Sequence, residues 1–133
     1  MILLDTHVLL WQDTDDPALG KAARRVLARA WKQGDIAVSA VSFWECALLY
    51  AKGRISLPKS PAAWRADMLT AGIAELPLSG DSAVLATELE GLHKDPADRF
   101  IAATAISQRA TLMTADERLL KWKHALSRQD ARK

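Results

Sequence analysis

Short apolar runs alternate with helical stretches along this chain, and acidic residues sit at the junctions. Met1 to Leu4 is too short for a helix and carries no polar residue before Asp5, as expected of a parallel strand buried on both faces. Asp16-Pro17 places a capping acid before a proline, and Leu19, Ala22, Ala23, Val26, Leu27 and Ala30 follow at helical spacing as far as Gly34. Ile36 to Val38 reads as a second strand, and Ser42 opens a helix through about Tyr50. A helix from Ala62 to Thr70 follows Pro58 and Pro61, Ile73 to Leu76 reads as a strand, and Ser79 starts a helix running to about Leu89. Asp95-Pro96 repeats the cap-and-proline signal before the alanine-rich helix Phe100 to Arg109. Thr111 to Met113 is a short strand, and Thr114 caps a last helix carrying Leu119 and Leu120. Strands that alternate with helices in this way predict a three-layer α/β/α sandwich with a mainly parallel central sheet.

The 133 residues contain no repeat, low-complexity tract or linker, so one domain is expected. Its extent reads as 1–126, followed by a basic tail over 127–133 that is a candidate for disorder. No apolar run approaches the roughly 18 residues that span a bilayer, so no membrane partner is expected. The opening MILLD lacks the basic start of a signal peptide, and a cytoplasmic location is the default expectation. Cys46 sits in an apolar run and reads as a buried structural thiol. The formal net charge is only +2, but it is unevenly spread. Residues 1–20 carry Asp5, Asp13, Asp15 and Asp16 with no Lys or Arg, whereas residues 118–133 set six basic residues against Asp130. A polyanionic substrate suits that balance, and so does a solvated basic tail.

Each junction acid has a structural explanation. Ser42-Phe-Trp-Glu45 fits a capping box, as does Thr114-Ala-Asp116-Glu117. Asp95 would cap a helix whose first turn holds Asp98, and Asp5 would cap a short turn after the first strand. Together the four acids imply more. Asp5 and Asp116 follow strands and Glu45 and Asp98 open helices, which in an open parallel sheet brings all four to one edge. Carboxylates gathered there repel one another unless a cation compensates. An oxygen-rich donor set selects Mg²⁺ or Mn²⁺, and no Cys/His spacing offers a zinc site. His7, His93 and His124 are scattered and read as surface or packing residues.

These residues also carry a family resemblance. Ile2-Leu3-Leu4-Asp5-Thr6-His7, Ser42-Phe-Trp-Glu45, His93 to Ala105 with Asp95-Pro96-Ala97-Asp98, and Leu112-Met-Thr114-Ala-Asp116 resemble, in order, the four acidic motifs of PIN domains. The third takes the form seen among VapC-like toxins of bacterial toxin–antitoxin pairs. The resemblance implies a PIN-like three-layer fold and a Mg²⁺- or Mn²⁺-dependent endonuclease that hydrolyses structured RNA. Asp5, Glu45, Asp98 and Asp116 would be its catalytic metal ligands. Thr6, Thr114 and Asp95 would support them by hydrogen bonds, and Lys52, Arg54 and Arg99 are candidates for substrate contact. A small antitoxin and a homodimer are the implied protein partners. Surplus apolar bulk in Phe43, Trp44, Leu48, Leu49 and Tyr50, and in Trp31 and Trp64, would suit such interfaces.

The competing reading is a non-catalytic α/β binding module whose acids are caps or hold a structural metal. Nucleotide-binding glycine motifs are absent from the sequence, and a single acid after the first strand falls short of a phosphoacceptor pair.

Overall fold

The computed structural model describes residues 1–133. Its strands are β1 (Ile2–Leu4), β2 (Ile36–Ser39), β3 (Ala74–Leu76), β4 (Thr111–Thr114) and β5 (Arg128–Asp130). They form a single sheet in the order β3-β2-β1-β4-β5, and every pairing is parallel. Leu4 lies opposite Val38 on one side and Met113 on the other. The three central strands are mostly apolar because both of their faces are covered, and Ser39 and Thr114 at the ends of β2 and β4 are buried polar exceptions. Leu3, Ala37 and Leu112 enter one core, while Leu4, Val38 and Met113 enter the other.

Helices cover the two faces unequally. α1 (Thr6–Thr14), α2 (Lys21–Lys32), α3 (Ala40–Ala51) and α4 (Pro61–Thr70) send Val8, Leu27, Phe43 and Trp64 into the first core. α5 (Gly80–Thr87), α6 (Pro96–Gln108) and α7 (Glu117–Leu120) send Ala86, Ile101 and Leu119 into the second. Ala102, Ala103 and Ala105 of α6 are wholly buried, and side chains this small let α5 lie close along α6. The result is the expected three-layer sandwich. Cys46 is wholly buried, and burial, with the charge of Glu45 second, pushes its thiol up to about 12. It is a packing residue. No helix is long and apolar enough to cross a membrane.

Three elements differ from expectation. Residues 6–14 form a full helix, which the capping role of Asp5 foreshadows only as a turn. Asp16-Pro17 does not open α2; the chain turns there, and Gly20 is the N-cap. Residues 127–133 are not a free tail. Arg128–Asp130 adds a fifth strand beside β4, and Ala131 is wholly buried. An edge strand needs only backbone pairing on one side, so its polar composition hides it. The guanidinium of Arg128 turns inward and donates to the carbonyls of Leu119, Trp122, His124 and Leu126.

The chain end also completes α2. Gly20 contributes no side-chain cap, but its N–H donates to the Ala131 carbonyl at 2.8 Å and the Ala22 N–H to Lys133 at 3.0 Å. Two donors of a helix start are thereby satisfied by the C-terminal backbone. A Cβ at Gly20 would fall 2.1 Å from the Lys133 carbonyl carbon, so only glycine permits this approach. Gly20→Ala should therefore cost about 1–3 kcal/mol, read as a lower urea midpoint at unchanged m-value. An unchanged midpoint would contradict this closure.

Candidate metal centre

In a parallel sheet all strand C-termini point to one edge, and the crevice opens where the strand order reverses. Here that point lies between β1 and its neighbour β4. Asp5 follows β1 and Asp116 lies two residues beyond β4. Glu45 is carried on α3, which follows β2, and Asp98 stands in the first turn of α6. The fold thus delivers the four acids to a common edge.

Two threonines tie these acids together. Asp5 is only 2% exposed; its Oδ1 accepts the Thr6 N–H at 2.9 Å and its Oδ2 the Thr114 hydroxyl at 2.7 Å. The Thr114 oxygen in turn accepts the Asp116 N–H at 3.0 Å. On the other side, the Thr6 hydroxyl donates to Glu45 Oε1 at 2.5 Å and lies 2.9 Å from the Ser42 hydroxyl. His7 Nδ1 sits 3.8 Å from Asp5 Oδ2. Asp95 caps α6 by accepting the Asp98 N–H at 3.2 Å and stays exposed.

Two capping expectations are corrected. Ser39, not Ser42, is the N-cap of α3, accepting the Val41 N–H at 3.1 Å. The helix starts three residues early, the Ser42–Glu45 box does not form, and Glu45 is left free to meet Thr6. Asp116 rather than Thr114 caps α7, which releases Thr114 to bridge Asp5 and Asp116.

Two further residues enter the site that were not among its expected members. His93 Nε2 lies 2.7 Å from Asp98 Oδ2. One ligand-type atom from each of His93, Asp98 and Asp116 falls within 4.8 Å of the others. Arg118 grips Asp116 with both Nε (3.1 Å) and Nη2 (2.9 Å), and Nη2 reaches to 3.5 Å from Asp98. The only signals in the sequence were short separations, five residues before Asp98 and two after Asp116.

The electrostatics divide the cluster. Burial raises the Glu45 carboxyl above its usual range; the negative charges of Asp98, Asp5 and Asp95 add to this, against the Thr6 hydrogen bond. Burial likewise raises Asp98, with Asp5 and Asp95 adding and His93 opposing. Burial acts upward on Asp116 too, but hydrogen bonds from Arg118 outweigh it and hold Asp116 low. The Arg118 guanidinium thus already offsets charge at Asp116 and the edge of Asp98, while Asp5 and Glu45 pair with no arginine or lysine. Carboxylate oxygens beside one imidazole, in a place where negative charge is penalised, fit a hard divalent cation.

The predicted substrate-contacting residues lie elsewhere. Arg99 spends its guanidinium on the carbonyls of Ala86, Leu89, Leu92 and His93 at 2.8–3.2 Å, so its donors are committed to the backbone of a loop. Lys52 is the C-cap of α3, and Arg54 follows it. Lys52 is seven residues beyond Glu45, roughly 10 Å along a helix that runs away from the acidic edge. The fold does not bring either residue to the acids.

Against known proteins, the family model described as "PIN domain" matches residues 2–124. The chain belongs to the PIN-domain family. Ribonuclease VapC22 of Mycobacterium tuberculosis is 33% identical to this PIN domain over 124 residues, 92% of either chain. Among solved structures, VapBC2 from Rickettsia felis bound to a promoter DNA fragment has a TM-score of 0.72 at 22% identity, covering 97% of this chain and 98% of that one. FitAcB from Neisseria gonorrhoeae has a TM-score of 0.59 at 21% identity, with 98% of each chain covered. At those identities the two structures establish the shared fold.

For this PIN domain the raised carboxyls have a definite pH consequence. Glu45 starts from 4.5 when unperturbed and Asp98 from 3.8, and both lie higher in the folded state. The unfolded chain therefore loses these protons first, and their contribution to stability falls as pH rises from the unperturbed values through the raised ones. Glu45→Gln removes one such penalty. Without divalent metal it should stabilise the protein more at about pH 7 than at about pH 4 in urea unfolding. An equal effect at both pH values would contradict the electrostatic reading.

Proposed function

We propose that this PIN domain is a divalent-metal-dependent endoribonuclease and the toxin of a toxin–antitoxin pair. The observation that carries the reading is the convergence of Asp5, Glu45, Asp98 and Asp116 on one crevice, with two of the carboxyls raised by burial and mutual repulsion. The likeness to ribonuclease VapC22 supports RNA as the substrate, and structured RNA is the class favoured.

Asp5, Glu45, Asp98 and Asp116 would hold one or two Mg²⁺ or Mn²⁺ ions, with His93 beside Asp98 and Asp116. Bound there, the cation would supply Lewis acidity, activating a water and offsetting charge at the scissile phosphate. Water is the fitting nucleophile, because the hydroxyls of Thr6 and Thr114 are already committed to carboxylates. It adds to phosphorus as the bond to the leaving oxygen breaks, and its proton passes to a carboxylate. A carboxylate oxygen of the cluster not spent on the cation would accept it. Thr6 and Thr114 orient the acids, and Asp95 contributes charge and a helix cap.

Partner contacts would use an apolar strip beside Glu45. Trp44 is 60% exposed on α3, and a cleft next to it is lined by Leu48, Leu49, Pro96 and Ala97. A segment of a small antitoxin laid there would also cover the carboxylates. A second copy of this chain is the alternative occupant, consistent with a homodimer. The structural neighbours favour the antitoxin, since one of them is a toxin–antitoxin complex from Klebsiella pneumoniae.

Purified protein should cut total RNA into discrete fragments with Mg²⁺ or Mn²⁺, and EDTA or Asp98→Asn should stop it. Thr114→Val removes the hydroxyl between Asp5 and Asp116 and should reduce activity on the order of 10–100-fold. Undiminished cleavage by Asp98→Asn would refute the assignment.

A further inference from the structure

A four-carboxylate site repels the polyanion it is proposed to cut, so a substrate needs cationic support close by. Neither Lys52 nor Arg54 supplies it. A cavity of about 660 Å³ does lie against the acids, walled by residues 90–94 on one side and by Arg118 and 121–123 on the other. His93 and Arg118 belong to both places: they line this cavity, and they touch Asp98 and Asp116. Lys94, Lys121, Lys123 and Arg118 face Glu90 as the lone acid of the lining. Lys121 pairs with Glu117 at 3.2 Å, whereas Lys94 and Lys123 form no ion pair.

The walls are built to hold their shape. Both are largely irregular, yet an arginine bonds carbonyls within and beside each. Arg99 takes those of Ala86, Leu89, Leu92 and His93, and Arg128 takes those of Leu119, Trp122, His124 and Leu126. The Trp122 indole N–H then joins the walls by donating to the Glu90 carbonyl at 2.9 Å. Gly91 stands at φ +78°, a backbone conformation that glycine supplies without strain. With its carbonyls bonded inward, this frame presents ammonium groups to a cavity contiguous with the proposed metal site.

We propose that this cavity binds the RNA phosphodiester backbone on one flank of the scissile bond, with Lys94 and Lys123 as its phosphate contacts and Arg118 at the boundary with the carboxylates. The proposal rests on the ribonuclease reading above and adds where the substrate lies. A cation at Asp98 and Asp116 would compete with Arg118 for them and leave its guanidinium free to meet a phosphate.

The test is equilibrium binding of a fluorescein-labelled single-stranded RNA oligonucleotide across a salt series, in an Asp98→Asn background that does not cleave. Lys94→Ala/Lys123→Ala should weaken binding on the order of tenfold and lower the slope of log K against log salt by about 1.4, near 0.7 for each lost phosphate contact. Lys52→Ala/Arg54→Ala should change neither quantity. Both lysines are exposed, so the substituted protein should keep the parent's thermal midpoint. RNA binding that is unchanged in the Lys94/Lys123 variant, or equally weakened in the Lys52/Arg54 variant, would overturn this inference while leaving cleavage intact. A wild-type protein that neither binds structured RNA nor cleaves total RNA would instead overturn the ribonuclease reading, and this inference with it.

Discussion

Mutual repulsion among carboxylates is the constraint around which this molecule is arranged. Asp5 is almost wholly buried, Glu45 and Asp98 are half-buried, and each feels the negative charge of its neighbours. Such a cluster opposes folding, so the rest of the fold must hold it together. Two apolar cores on opposite faces of the sheet supply that stability, and the parallel strands fix where the acids go. Thr6 and Thr114 then act over short range, each joining two parts of the cluster through a buried hydroxyl. Arg118 contributes the one local positive charge in contact with two of the acids.

Arginine does two different jobs in the same neighbourhood. Arg99 and Arg128 are spent on backbone carbonyls, which a planar group with five donors can collect from an irregular loop. They give rigid walls beside the site without offering charge to a ligand. Arg118 is exposed and bound only to carboxylates, an arrangement that a competing cation can undo. The distinction is one of partners, and it explains why a basic residue next to a clustered acid is a poor guide to substrate contact.

Much of the fold was legible because fully buried parallel strands leave uninterrupted apolar runs. Ile2–Leu4, Ile36–Val38 and Leu112–Met113 announce the centre of the sheet, and Asp95-Pro96 announces the start of α6. The edge strand Arg128–Asp130 leaves no such trace, because its pairing lies in the backbone. Helix starts were displaced where two cap residues competed: Ser39 prevails over Ser42, and Gly20 over Asp16. In the site, Asp5 and Asp116 were readable from their places after strands and Asp98 from a helix start, whereas Glu45 lies in the second turn of α3 and not at its start. His93 and Arg118 were not readable, since their contacts depend on how a loop and a short helix turn back over the crevice.

The central claim is that Glu45 and Asp98 hold their protons more tightly than free carboxyls do until a cation joins them. The direct measurement is calorimetric titration of Mg²⁺ into the metal-free protein at about pH 5.5, in two buffers with different ionisation enthalpies. If Glu45 and Asp98 hold raised carboxyls, binding must release protons and the apparent enthalpy must differ between the buffers. An identical enthalpy in both, or no binding at all, would contradict the account.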